Sequence, residues 1–210
     1  KSPLRTIASY AQLLKRRFYG QIGDEADEFI GFIVKGANHM NDIIRDLLEY
    51  SRSGREQEFV ETDLNKTLEV VKFNLQDEIQ RNNAKIITEG LPTSLVVNKS
   101  SIIQLFQNLV GNAIKFRRED IDPCIKIESF QNGTHWHFKV TDNGVGMDET
   151  YQKKAFLPFQ RINNLDRPGT GMGLAICKKV VKMHKGEIWY LANKESGTTF
   201  NFTLSQNVLR

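Results

Sequence analysis

The sequence predicts an α-helical hairpin followed by an α/β sandwich, and three observations lead there. Across the first fifty residues, apolar side chains recur at alternating steps of three and four, the spacing of a helix seam. From residue 62 onward, helix-period stretches alternate with short β-prone runs, as in a sheet with its helices on one face. Between the two lies SRSGREQEFVE (51–61), polar and unpatterned. The expected division is a hairpin at 1–52, a linker at 53–61 and a second domain at 62–210.

The first helix is marked by Leu4, Ile7, Ala11, Leu14 and Phe18. The second is marked by Phe29, Ile33, Gly36, Met40, Ile43, Leu47 and Tyr50. Tyr19-Gly20-Gln21-Ile22-Gly23 breaks them, and Asp24 is a candidate N-cap for the second. Beside that helix's seam stand Phe32, Ala37, Ile44 and Leu48. One partner helix cannot cover so broad a face, and two helices form too small a core to stand alone. Two chains pairing their hairpins into a four-helix bundle would cover it. The alternative is that the hairpin packs on the rest of its own chain.

In the second domain, Leu64, Leu68, Val71, Leu75 and Ile79 mark a helix capped by Asp63 or Thr62. Short β-prone runs follow at 84–88 and 94–97. Ile102, Leu105, Leu109, Ala113 and Phe116 mark a long helix. Strands at 124–130 and 135–142 flank Asn132-Gly133, a hairpin turn signal. A third helix is expected over 173–184, closed by Gly186 in C′ style, with final strands at 187–192 and 198–204.

At 40% hydrophobic and 26% charged, the 210 residues have an ordinary soluble globular composition. No apolar run approaches a membrane span, and no basic start with an apolar stretch and cleavage site supports secretion. Lys and Arg number 29 against 25 Asp and Glu, a net +4 that suits a phosphorylated ligand. These charges are interspersed, so no nucleic-acid stripe is implied. Cys124 and Cys177 make neither a disulfide framework nor a zinc site, and a reduced, cytoplasmic setting is expected.

Four segments carry chemistry. Asn108 and Asn112 are four apart and share a helix face, with Lys115 one turn on. An amide oxygen is a hard neutral ligand suited to Mg²⁺, which takes further oxygens from phosphates; a solvated polar face would look the same. Asp142-Asn-Gly144-Val-Gly146 ends a strand, where a carboxylate can accept from an exocyclic amine and glycines admit a flat ligand. A strand-terminal turn is the plainer reading of it. Gly169-Thr170-Gly171-Met-Gly173-Leu174 opens a helix whose free N–H groups make an anion site, or else serves as a hinge. Between them lies a long loop of lid type, anchored by Phe156 and Phe159, with Arg161 able to fork onto a terminal phosphate.

Together and in this order, these segments closely resemble the N, G1, F and G2 boxes of sensor histidine kinases. Behind those stands the wider ATPase fold shared with gyrase, Hsp90 and MutL. Gly197-Thr-Thr199-Phe200 looks like the further glycine box, and Lys1-Ser2-Pro3-Leu4-Arg5 looks like the continuation of the H box. KSPLRTI and FQRI…GTGMGLAICKK are similar to kinase cores of phytochrome-like and other PAS- or GAF-linked sensors.

The resemblance implies a homodimeric kinase of two-component signalling. It would bind ATP and Mg²⁺, phosphorylate a histidine just upstream of Lys1 and pass the phosphate to a response-regulator aspartate. It implies that Asn112 holds the metal, that Asn108, Lys115 and Arg161 are catalytic, and that Asp142 reads adenine with support from Thr199. Phe116, Gly144, Gly146, Phe159, Gly169, Thr170, Gly171, Gly173 and Leu174 complete the nucleotide site. An upstream sensory domain is a further implied partner. None of His39, His135, His137 and His184 matches the phosphoacceptor. Asn108 stands where hydrolysing relatives carry a glutamate, and an amide cannot deprotonate water. Two other classes compete: a dimeric scaffold with a vestigial ATP domain, and an ATP-hydrolysing machine.

Overall fold

The computed structural model describes residues 3–21, 23–52, 58–162, 167, 169–193 and 196–208. Lys1, Ser2 and most of the expected linker lie outside the described residues.

Helices α1 (Pro3–Phe18) and α2 (Asp24–Arg52) form the hairpin. Lys15, Arg16 and Arg17 end α1 while Asp24, Glu25 and Asp27 begin α2, each set complementing its helix dipole. Asp24 is the first helical residue rather than a cap; the Gly23 carbonyl accepts from Ala26 and Asp27, and Asp27 Oδ2 accepts from the Gly20 amide at 2.7 Å. The side chains buried in the hairpin are Ala8, Ala11, Ile30 and Ala37, small residues that let the two helices approach. Phe29, Ile33, Met40 and Leu47 of the expected α2 seam remain about half exposed instead, whereas Ile43 is partly buried and Tyr50 packs against the sandwich core. The half-exposed residues sit roughly one step round the helix from the residues α1 covers.

Beyond the linker, β1 (Val60–Thr62) pairs antiparallel with β3 (Leu95–Val97). Strands β2 (Lys85–Glu89), β4 (Cys124–Asn132), β5 (His135–Asp142), β6 (Ile188–Ala192) and β7 (Thr198–Ser205) form a sheet in the order β2-β4-β5-β7-β6. Its β2–β4 pair is parallel and the others antiparallel. Helices α3 (Leu64–Asn74), α5 (Lys99–Lys115) and α6 (Gly173–Met183) supply the apolar residues that meet one sheet face. Leu105, Leu109 and Val180 join Ile125, Ile127, Val140 and Tyr190 there, all buried. Phe138 and Phe202 stack at 4.9 Å between centroids, with Phe106 edge-on to both.

Three local expectations are refined. The helix expected through Ile79 breaks at Leu75 (φ −104°, ψ 13°) and resumes as α4 (Gln76–Arg81); Asp63, not Thr62, caps its start, with Oδ1 accepting from Asn65 and Lys66. The β4–β5 loop is Gly133-Thr134, because Asn132 pairs with His135 inside the ladder. At the end of α6 the left-handed residue is Lys185 (φ 54°), while Gly186 is needed for contact: a Cβ there would lie 1.7 Å from the Thr203 carbonyl oxygen.

A buried histidine ties these parts together. His184 Nδ1 donates to the Val180 carbonyl at 2.7 Å and Nε2 accepts from the Asn98 amide at 3.1 Å, a network that assigns the neutral tautomer. Asn98 caps α5 through Ser101 and donates to the Glu58 carbonyl, and Phe59 packs edge-on against the imidazole. The last turns of α2 also reach the sandwich: Lys179 donates to the Tyr50 carbonyl and Gln104 to Glu49 at 3.0 Å. Among the described residues no helix is long and apolar enough to cross a membrane.

Candidate active site

The site grows from the last two turns of α5. Ser101, Ile102, Leu105, Leu109 and Ala113 bury one face of this helix, so Asn108 and Asn112, on another face, look into a cavity of about 280 Å³. Lys115, the last residue of the helix, and Phe116 just beyond it extend that wall. Asn108 Nδ2 is buried with no hydrogen-bond partner among the described residues. An orphan amide at a cavity wall costs about 1–3 kcal/mol unless a ligand or water meets it.

Asp142, at the end of β5, lines the same cavity. Its Oδ1 accepts from the amides of Gly144 at 2.9 Å and Thr198 at 3.2 Å. Burial raises its pKa above the usual carboxylate range, and those two amides pull the other way. Gly197 is required beside it, since a Cβ would lie 1.9 Å from the Asp142 carbonyl oxygen. Gly146 lines the same cavity.

The third wall is the loop into α6, where Gly169, Thr170, Gly171, Gly173 and Leu174 all line the cavity. Gly171 (φ 76°) passes so close to the lid that a Cβ would sit 2.8 Å from the Phe159 carbonyl carbon. Arg161 lines the cavity from the lid and donates to the Arg167 carbonyl at 2.9 Å. Lys115 Nζ lies 4.7 Å over the Phe116 ring; burial chiefly, then Arg161 and Arg167, lower its pKa.

Three expected residues stand apart from this cavity. Thr199 Oγ1 bonds Thr141 and Asn193 on the other side of β7, and its neighbour Thr198 lines the cavity instead, as strand alternation dictates. Phe159 (φ 61°) is half exposed, while Phe156 is buried beside Tyr190. Gly144 serves through its amide to Asp142 rather than as lining. Sequence reasoning missed Gln160, Arg167 and Thr198, and also Asp42, Arg45 and Asp46, which α2 contributes to the cavity rim. Thr170 Oγ1 donates to Asp46, so the hairpin touches the glycine loop directly. No local signal marks those α2 residues, because only the docking of two domains brings them there.

A nucleotide fits this donor set. A buried acid suits an amine, and the same cavity is lined by an orphan amide, a lysine, two arginines and a glycine loop with free helix N–H groups, which suit phosphates. Asn112 offers the amide oxygen that a hard divalent cation accepts.

Comparison with known proteins agrees. Residues 97–208 match the histidine kinase-, DNA gyrase B-, and HSP90-like ATPase family, and residues 1–56 match the His Kinase A (phospho-acceptor) domain. Cyanobacterial phytochrome A of Nostoc sp. is 40% identical over 206 residues, covering 97% of this chain but 27% of its own. The chain thus spans about a quarter of that relative's length. The catalytic domain of histidine kinase ThkA superposes with a TM-score of 0.62 at 31% identity, over 71% of this chain and 97% of that one. ThkA in complex with response regulator protein TrrA gives 0.71 at 25% identity, over 99% of this chain and 60% of that one. With the ATPase model covering more than half of it, the chain belongs to the histidine kinase-, DNA gyrase B- and HSP90-like ATPase family, with a His Kinase A (phospho-acceptor) domain ahead.

Proposed function

We propose that the parent protein binds ATP with Mg²⁺ in this cleft and phosphorylates a histidine just upstream of Lys1. The phosphate then passes to an aspartate on a response-regulator receiver. The observation that carries this reading is that Asn112, Asp142 and Gly171, from three separate elements, line one cavity. The complex of ThkA with a response regulator supports the partner class.

In this reading the Asp142 carboxylate accepts from the adenine amine, and the Thr198 amide fixes the orientation of that carboxylate. Asn108, Lys115 and Arg161 meet the polyphosphate, where positioning and charge neutralisation supply most of the acceleration. Mg²⁺, when bound, adds positive charge across the phosphate oxygens, with Asn112 as its protein ligand. Asn108, lacking basicity, leaves water unactivated, which favours a histidine acceptor over hydrolysis. Domain boundaries follow the division at 52 and 62. The half-exposed seam of α2 pairs with that of a second copy as a homodimer, and two free thiols suit the cytosol.

Calorimetric titration of the chain with a non-hydrolysable ATP analogue and Mg²⁺ tests this. Micromolar binding that falls at least about tenfold in Asn112→Ala is expected for loss of a metal ligand. No heat with the wild-type chain would leave a scaffold with a vestigial site. Steady phosphate release without any acceptor would indicate an ATPase.

A further inference from the structure

One side chain outside every recognised box ties the lid to the nucleotide wall. Arg167 donates through Nη1 to the Lys115 carbonyl and through Nη2 to the Arg117 carbonyl at 2.8 Å. Both oxygens lie where α5 ends, and helix ends leave carbonyls without partners and with partial negative charge. A planar guanidinium fork satisfies two such acceptors at once. Arg167's own carbonyl accepts from Arg161 at 2.9 Å, so Arg167 joins Arg161 to the helix end.

The join sets charge. Lys115, Arg161 and Arg167 all line the same cavity, and none forms an ion pair with a carboxylate among the described residues. Lys115 is hemmed in from behind: its ammonium lies so near Gly169 that a Cβ there would fall 2.4 Å from Nζ. Lys115 and Arg167 are partly buried and Arg161 is exposed, and like charges lining one cavity repel; burial and the two arginines weaken Lys115's hold on its proton. An anion with several adjacent charges relieves the repulsion. A diphosphate or triphosphate has that form; a single phosphate does not.

We infer that Arg167 is a positioning residue for the polyphosphate: by clasping the carbonyls of Lys115 and Arg117 it holds Lys115 and Arg161 where they line the cleft. The inference rests on the reading of the cleft as an ATP site. Arg167 acts through the two other cations, so ADP and ATP depend on it alike, whereas AMP, which lacks the further phosphates those cations would meet, does not.

The test is titration of wild type, Arg167→Ala and Arg167→Lys with Mg-ADP, a non-hydrolysable ATP analogue and AMP, alongside hydrogen exchange of residues 113–118 and 169–172 without nucleotide. The expected result in Arg167→Ala is a loss of about tenfold for both ADP and the analogue. AMP affinity stays unchanged, and exchange at 113–118 quickens about tenfold. Arg167→Lys, which reaches one carbonyl at a time, falls between. A loss confined to the triphosphate makes Arg167 a direct terminal-phosphate ligand and overturns the clasp. An equal loss for AMP makes it a general structural residue and does the same. Exchange and affinities both at wild-type values also overturn it. A wild-type chain that binds no nucleotide defeats the reading of the cleft, while exchange at 113–118 still decides the clasp.

Discussion

The two halves of the molecule solve the burial problem differently. In the sandwich, large apolar side chains from α5, α6 and five strands are essentially inaccessible, Phe106, Phe138 and Phe202 among them. In the hairpin the buried residues are mainly alanines, and Phe29, Phe32, Ile33, Leu47 and Leu48 keep about half their surface in water. One half closes its own core and the other leaves its largest apolar groups on the surface. A surface of that kind marks an interface rather than a finished fold.

That contrast can be broken most sharply from the sandwich side. Phe138→Ala empties a stacked and fully enclosed ring site, and about 3–5 kcal/mol of stability should be lost in urea unfolding. The hairpin assembly should survive it; if light scattering shows the dimer lost as well, the halves do not stand apart. From the other side, Ile33→Glu with Leu47→Glu places charge on the open seam. The dimer constant should weaken about a hundredfold, near 3 kcal/mol, with the sandwich's melting temperature unmoved. A chain already monomeric by light scattering would show that the seam pairs with something else.

The smallest effect concerns the point where the linker enters the sandwich. Burial lowers the His184 pKa below its ordinary 6.5, although the Val180 carbonyl raises it somewhat. Its neutral form accepts from Asn98, a bond that protonation forfeits. The unfolded chain therefore binds more protons between the two values. Stability should be full above about pH 6.5 and fall on acidification toward the lowered folded value. His184→Gln should flatten that dependence. An unchanged pH profile in the variant would place the sensitivity elsewhere.

Much of this was legible before the structure. Periodicity located every long helix, and β-branched runs located the main strands, because each buries a continuous face. The Asp63 cap and the glycine loop into α6 were legible through local chemistry. What escaped was set by contacts distant in sequence. β1 is three residues long and exists only because β3 lies beside it. The wall residue on β7 is Thr198 rather than Thr199, a question of strand parity that registers only once β5 is paired. Arg167 sits in a loop without period, and its meaning lies in the carbonyls of Lys115 and Arg117, some fifty residues away. The α2 seam was found, but which of its stripes faces α1 was decided by alanines.

The bond between Asp46 and Thr170 makes α2 and a glycine turn share one boundary. Any occupant that draws Thr170 toward itself must first part it from α2. By thermodynamic reciprocity, a twist of α2 that releases Asp46 alters the grip on that occupant by the same factor. A change at α2 thus needs no relay to be felt in the cavity: the two surfaces are neighbours.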